Sequence, residues 1–94
     1  MKVEVKKSAS KSLAKIPIKE RKKIISLLLD IEKLKTISEI PNNGKLKGYP
    51  NRFKIREGNY RIIYKTESDS HILITAIAHR KEVYERLFGI AFSI

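Results

Sequence analysis

The chain has 94 residues, with 21 Lys and Arg against 10 Asp and Glu, a net charge of +11, and no Cys or Trp. That length allows one domain with one core, spanning residues 1–94, and the missing cysteines exclude disulfides, thiolate metal sites and cysteine nucleophiles. A small domain ordinarily carries a charge of magnitude about 2–8, so the excess points to a polyanionic partner, RNA first.

Residues 2–6 (KVEVK) alternate as a short strand does. Ser8 or Ser10 is placed to cap a helix carrying Leu13, Ala14 and Ile16, and Pro17 ends it and opens the next. The second helix, within residues 18–35, shows Ile24, Leu27, Leu28, Ile31 and Leu34 at spacings of three and four, one apolar stripe. Ile25 and Leu29 widen that stripe, enough to face both a sheet and a partner. Pro41-Asn42-Asn43-Gly44 reads as a turn, and Lys45–Gly48 as a brief strand. Phe53 and Ile55 alternate with Lys54 and Arg56, so the two basic residues share a face. Glu57-Gly58-Asn59 makes a tight hairpin turn into a strand over Tyr60–Lys65. After a turn at Glu67–Ser70, Ile72–Ala78 is a nearly continuous apolar run, as in a central strand covered on both faces. Lys81–Phe88 reads as a last short helix, broken by Gly89 before an apolar tail. The sum is an α+β domain: a small antiparallel-rich sheet, an N-terminal helical hairpin packed on one face, and a short C-terminal helix.

Basic residues fall at fixed places along the last strands, and Tyr49, Phe53, Tyr60, Tyr64 and Tyr84 lie in the same half of the chain. Single-strand binders interleave cations and aromatic rings in this way. Tyr60 and Tyr64 share a face with Ile62 and read as core. The run Lys19–Lys23 reads as a wet helix face that could also touch RNA. Lys54 and Arg56 read equally as a solvated strand face or as ligand contacts. His79 reads as a strand-end residue bonded to backbone or, less often, as an acid–base group; His71 reads as exposed at a turn. No run is long and apolar enough for a membrane span or an export signal, so no membrane partner and a cytoplasmic location are expected.

The pattern Gly58-x-Tyr60-Arg61-x-x-Tyr64, followed by His79-Arg80-x-x-Val83-Tyr84, resembles the RelE/ParE toxin superfamily of toxin–antitoxin modules. The likeness is tightest over residues 46–84 and covers nearly the whole chain in layout. It implies a RelE-like fold and one of two activities: the RelE branch cleaves messenger RNA in the ribosomal A site, whereas the ParE branch inhibits DNA gyrase by binding it. Arg80 and Tyr84 together favour the RelE branch. The resemblance then implies a metal-independent endoribonuclease with no cofactor. Its catalytic residues would be Lys54 as base, Arg61 on the scissile phosphate, Arg80 on the developing charge and Tyr84 stacked on a base. Arg56, His79, Lys47 and Arg52 would be RNA contacts. The partners implied are mRNA and the ribosome, a cognate antitoxin and, through the antitoxin complex, operator DNA. A degenerate, antitoxin-binding member is the third alternative.

Overall fold

The computed structural model describes residues 1–83, and the expected C-terminal helix beyond Val83, with Tyr84 and the tail, lies outside the described residues. β1 (Lys2–Val5) leads directly into α1 (Lys7–Ala14) and α2 (Ile18–Glu32). A single 3-10 turn (Ile37–Glu39) connects to β2 (Asn43–Lys45), β3 (Arg52–Glu57), β4 (Tyr60–Ser68) and β5 (His71–His79). The sheet order is β1-β5-β4-β3-β2, antiparallel throughout except for β1, which runs parallel to β5. The α+β architecture read from the sequence is the one observed.

Several local expectations are corrected. Neither Ser8 nor Ser10 caps α1: the extended residue at its start is Lys6, because β1 ends only one residue earlier. Ile16 lies beyond α1 and is buried in the bend before α2, where the Arg21 Nε and Nη2 donate to its carbonyl at 3.1 and 3.0 Å. The brief edge strand occupies 43–45 and not 45–48. Asn43 pairs with Ile55, and the left-handed Gly48 (φ 83°) and Asn51 (φ 66°) already belong to the following loop.

α2 buries Ile24, Leu28 and Ile31 against the sheet and leaves Ile18, Ile25 and Leu29 exposed. The helix-covered face of the sheet contributes Ile55, Ile62, Tyr64, Ile72, Ile74 and Ile77 to one core. Tyr64 is fully buried, stacks on Phe53 with ring centroids 5.2 Å apart, and donates its hydroxyl to Asn43 Oδ1 at 2.6 Å. This bond ties edge strand β2 to the middle of the sheet. At the other edge, the His71 Nε2 meets Glu4 Oε1 at 2.5 Å, a contact that holds the Glu4 carboxyl below its usual range.

One irregularity sets the faces of β5. Ile63 pairs with Ala76 but Tyr64 pairs with Ile74, so Thr75 is an extra residue, a bulge. Its hydroxyl donates to the Ile63 carbonyl at 3.3 Å. Before the bulge, even-numbered residues of β5 face the helices; after it, Ile77 does. A second, smaller cluster of Leu46, Ile63, Ala78 and Val83, with Tyr49 and Ala76 against it, forms on the opposite face.

Burial pushes the Tyr64 phenol from 10.0 up to about 12. The folded state therefore favours the neutral phenol, a contribution complete below pH 10 and lost as pH rises through 12. Tyr64→Phe is expected to lower stability by about 0.5–1.5 kcal/mol at neutral pH, the worth of the lost hydrogen bond. The gap in Tm between wild type and Tyr64→Phe should close as melts are run from pH 10 to pH 12. A constant gap would contradict the burial of a neutral phenol.

Candidate functional site

The sheet face away from the helices carries the basic residues. Arg52, Lys54 and Arg56 alternate along β3 on that side, and Arg61 and Lys65 do so on β4. The register sets Arg56 directly opposite Arg61, and Arg52 opposite Lys65. Like charges placed directly across a ladder are unfavourable. Among the described residues, the ion pairs are Lys2–Glu4, Asp30–Lys33, Lys65–Glu67 and Glu4–His71. None of them touches Lys54, Arg56, Arg61 or Arg80. A face that sets Arg56 against Arg61 with no ion pair to either among the described residues is where an external anion is expected.

Lys54, Arg61 and Arg80 line one open cleft of about 390 Å³, together with Ile63, Lys81 and Val83. The floor of the cleft is apolar, since Ile63 and Val83 are buried. Gly44, paired with Lys54, has no side chain to crowd it; a Cβ there would lie 4.0 Å from Lys54 Cε.

The hairpin turn organises both arginines. Glu57 pairs with Tyr60, so the loop is the two residues Gly58-Asn59, and Gly58 sits at φ 57°. A positive φ at the first loop position is what a primed hairpin turn demands. The Arg61 Nη1 donates to the carbonyls of Gly58 and Tyr60, both at 2.9 Å. The Arg80 backbone N–H donates to the Asn59 carbonyl at 2.8 Å. One guanidinium nitrogen is thereby anchored, and the end of β5 is pinned beside it. A donor held in place before the substrate arrives loses little freedom on binding.

The other candidates are placed differently. His79 lies on the helix side, edge-on to Tyr60 at 5.6 Å, with its Nδ1 accepting the Lys81 backbone N–H at 3.2 Å. It lines a hollow with Pro17, Glu20 and Glu57, across the sheet from the cleft, because the Thr75 bulge reverses the face on which it falls. Lys47 borders a separate surface hollow formed by Lys45–Pro50. Arg52 and Arg56 share the face of the cleft without lining it. Tyr84 lies outside the described residues. Lys81 was missed as a cleft residue; its signal was position alone, directly after Arg80. Among the described residues no three of His, Asp or Glu gather as metal ligands, and the cleft's cationic lining is the wrong donor set for a divalent ion.

Comparison with known proteins now bears on this geometry. The family described as ParE toxin of type II toxin–antitoxin system, parDE, matches residues 3–84. The chain belongs to the RelE/ParE toxin superfamily. It is 33% identical over 86 residues to "Toxin RelE3" of Methanocaldococcus jannaschii, spanning 90% of this chain and 97% of that one. It is similar in structure to the toxin of the RelB–RelE antitoxin–toxin complex from Methanococcus jannaschii. That match has a TM-score of 0.76 at 29% identity and covers 88% of this chain and 96% of the other. The intact Escherichia coli RelBE complex shares the fold at TM-score 0.62 and 21% identity, covering 83% and 94% of the two chains.

The cleft generates a prediction about binding. Arg61→Ala and Arg80→Ala are each expected to stay folded, as neither removes core packing. Each should lower the slope of log affinity against log salt for a short single-stranded RNA by about 0.7, one phosphate contact. Unchanged slopes in both variants would remove the cleft as the anion site.

Proposed function

We propose that this toxin is a ribosome-dependent endoribonuclease that cuts mRNA in the A site and so stops translation. The observation that carries the reading is the convergence of Lys54, Arg61 and Arg80 in one cleft whose described lining holds no carboxylate. In the reaction, the 2′-hydroxyl of the nucleotide attacks the adjacent phosphorus and the bond to the 5′-oxygen breaks. The products are a 2′,3′-cyclic phosphate and a 5′-hydroxyl. The Lys54 side-chain nitrogen is the group that takes the 2′-hydroxyl proton. The fork of Arg61 holds the non-bridging oxygens. Arg80 neutralises charge as it builds on the phosphorane and on the leaving oxygen, which must collect a proton as it departs. Three basic side chains on an open face position free RNA poorly. Orientation by the ribosome supplies what the cleft lacks, and orientation is worth several powers of ten in rate. Tyr84 is assigned to base stacking, with Arg52 and Arg56 as flanking phosphate contacts. Work at the ribosome places the protein in the cytoplasm, and among the described residues no helix is long and apolar enough to cross a membrane.

A cognate antitoxin is part of the reading, supported by neighbours whose structures are toxin–antitoxin complexes. Its charge would be acidic, and the exposed Ile18, Ile25 and Leu29 of α2 or the basic sheet face would take its extended segment.

The match to the ParE description favours a second reading, inhibition of DNA gyrase by protein binding. The two separate cleanly. Incubated with programmed ribosomes, the wild type is expected to produce new RNA 5′ ends within the A-site codon, and Lys54→Met to lose at least about 10²-fold in rate. Intact mRNA together with inhibited gyrase supercoiling would establish the second reading in its place.

A further inference from the structure

A second hollow opens beside the cleft. The loop after β2 frames a space of about 600 Å³ lined by residues Lys45–Pro50, with two lysines and no acid among them. The two hollows stand on one apolar strip, because Leu46 of the loop packs with Ile63 and Val83, which floor the cleft. The register gives their separation. Gly44 pairs with Lys54. Crossing that pair covers about 5 Å and the two residues on to Leu46 about 7 Å, so the hollow opens roughly 8 Å from the Lys54 backbone. The neighbouring nucleotide of a strand lying in the cleft reaches that far.

The loop is braced by its own backbone. The Leu46 N–H donates to the Arg52 carbonyl at 2.9 Å, the Tyr49 N–H to the Leu46 carbonyl at 3.1 Å and the Arg52 N–H to the Tyr49 carbonyl at 3.3 Å. The Thr66 N–H, donating to the Asn51 carbonyl at 3.0 Å, ties the loop to β4. At Gly48 a Cβ would meet nothing within 4 Å, so glycine serves the positive φ and the space beside it is open. Tyr49 packs against the apolar strip yet is only half-buried, and Lys47 and Pro50 beside it are exposed. An aromatic ring held on a braced loop, flanked by lysine and continuous with a cationic cleft, has the parts that single-strand binding uses. The lining holds no planar amide, carboxylate or guanidinium group to bracket a base edge with two bonds. Discrimination there comes from stacking strength, which favours the larger purine rings.

We propose that the Lys45–Pro50 hollow is a base-binding subsite for the nucleotide beside the cleaved bond, with the Tyr49 ring as its stacking platform and Lys47 on the adjoining phosphate. The subsite selects a purine at that place. It deepens the nuclease reading and rests on it for the identity of the strand as mRNA.

The test measures binding of the full chain to two 2′-O-methyl hexanucleotides, one all adenine and one all uracil, neither of which has a free 2′-hydroxyl to attack. Leucine in place of Tyr49 keeps apolar contact with the strip and removes the ring, so Tyr49→Leu is the main variant, with Tyr49→Phe as control and thermal melts to check folding. Tyr49→Leu is expected to bind the adenine strand about tenfold more weakly, the scale of one lost stacked base. Its loss on the uracil strand should be smaller and its log–log salt slope unchanged. Tyr49→Phe, which keeps the ring face, should stay within about twofold of wild type. Arg61→Ala should show the reverse pattern, weakening both strands alike and lowering the slope by about 0.7, and Lys47→Gln should lower the slope by the same amount. With programmed ribosomes, wild-type cuts should favour a purine at one position beside the break, and Tyr49→Leu should level that preference. Wild-type affinity for the adenine strand in folded Tyr49→Leu would overturn the subsite and leave the nuclease reading intact. So would equal losses on the two strands. Adenine binding that depends on Tyr49, in a protein that leaves ribosome-bound mRNA whole, would instead sustain the subsite and overturn the nuclease reading.

Discussion

The extra residue at Thr75 decides which side chains meet. A strand alternates strictly, and one inserted residue exchanges its two faces from that point onward. Without the bulge, Ile77 would leave the core and Arg80 would turn under the helices. With it, Ile77 completes the packing beneath α2, and Arg80 emerges on the face of Lys54 and Arg61. The Thr75 hydroxyl compensates locally by bonding the Ile63 carbonyl. A defect in one ladder thus serves both the hydrophobic core and the cation cleft.

The cleft is a cluster of like charges, held together by backbone it did not have to recruit. The carbonyls of Gly58, Asn59 and Tyr60, left pointing outward by a two-residue turn, accept from the Arg61 guanidinium and the Arg80 amide. They supply partial negative charge without a carboxylate, which would compete with a phosphate for the same donors. Beneath, the buried side chains of Ile63 and Val83 form an apolar floor. The sheet is stable enough to carry the repulsion because its other face buries Tyr64 and five isoleucines against the helices.

Much of this was legible in the sequence where periodicity is strong. The i, i+3, i+4 spacing of α2 located the residues that reach the core, and Gly58 between two alternating runs located the hairpin. Arg61 and Arg80 were legible through the motif that contains them and Lys54 through the wider likeness over residues 46–84, and the three line one cleft. What could not be read has physical causes. Ile72–Ala78 is apolar on both sides, so alternation carries no phase there and the bulge is invisible; His79 was therefore grouped with residues from which the sheet separates it. Asn43 looked like turn chemistry, because a tertiary bond to Tyr64, twenty-one residues away, is what makes it a strand residue. Serines near the start of α1 looked like caps, yet the capping position falls on Lys6, directly after β1. Lys47 had only its charge and its neighbourhood in sequence to recommend it.

The central claim is that Arg80 and His79, adjacent in sequence, act on opposite faces of the sheet. The most direct measurement is single-turnover cleavage of ribosome-bound mRNA by His79→Ala and Arg80→Ala, with thermal melts of both. The account predicts that Arg80→Ala loses about 10²-fold or more in rate at unchanged Tm, the scale of one missing transition-state donor. His79→Ala should keep cleavage near the wild-type rate and register in stability through its lost contact with Tyr60. Equal loss of cleavage in the two variants, with both folded, would contradict the division of faces on which the site is built.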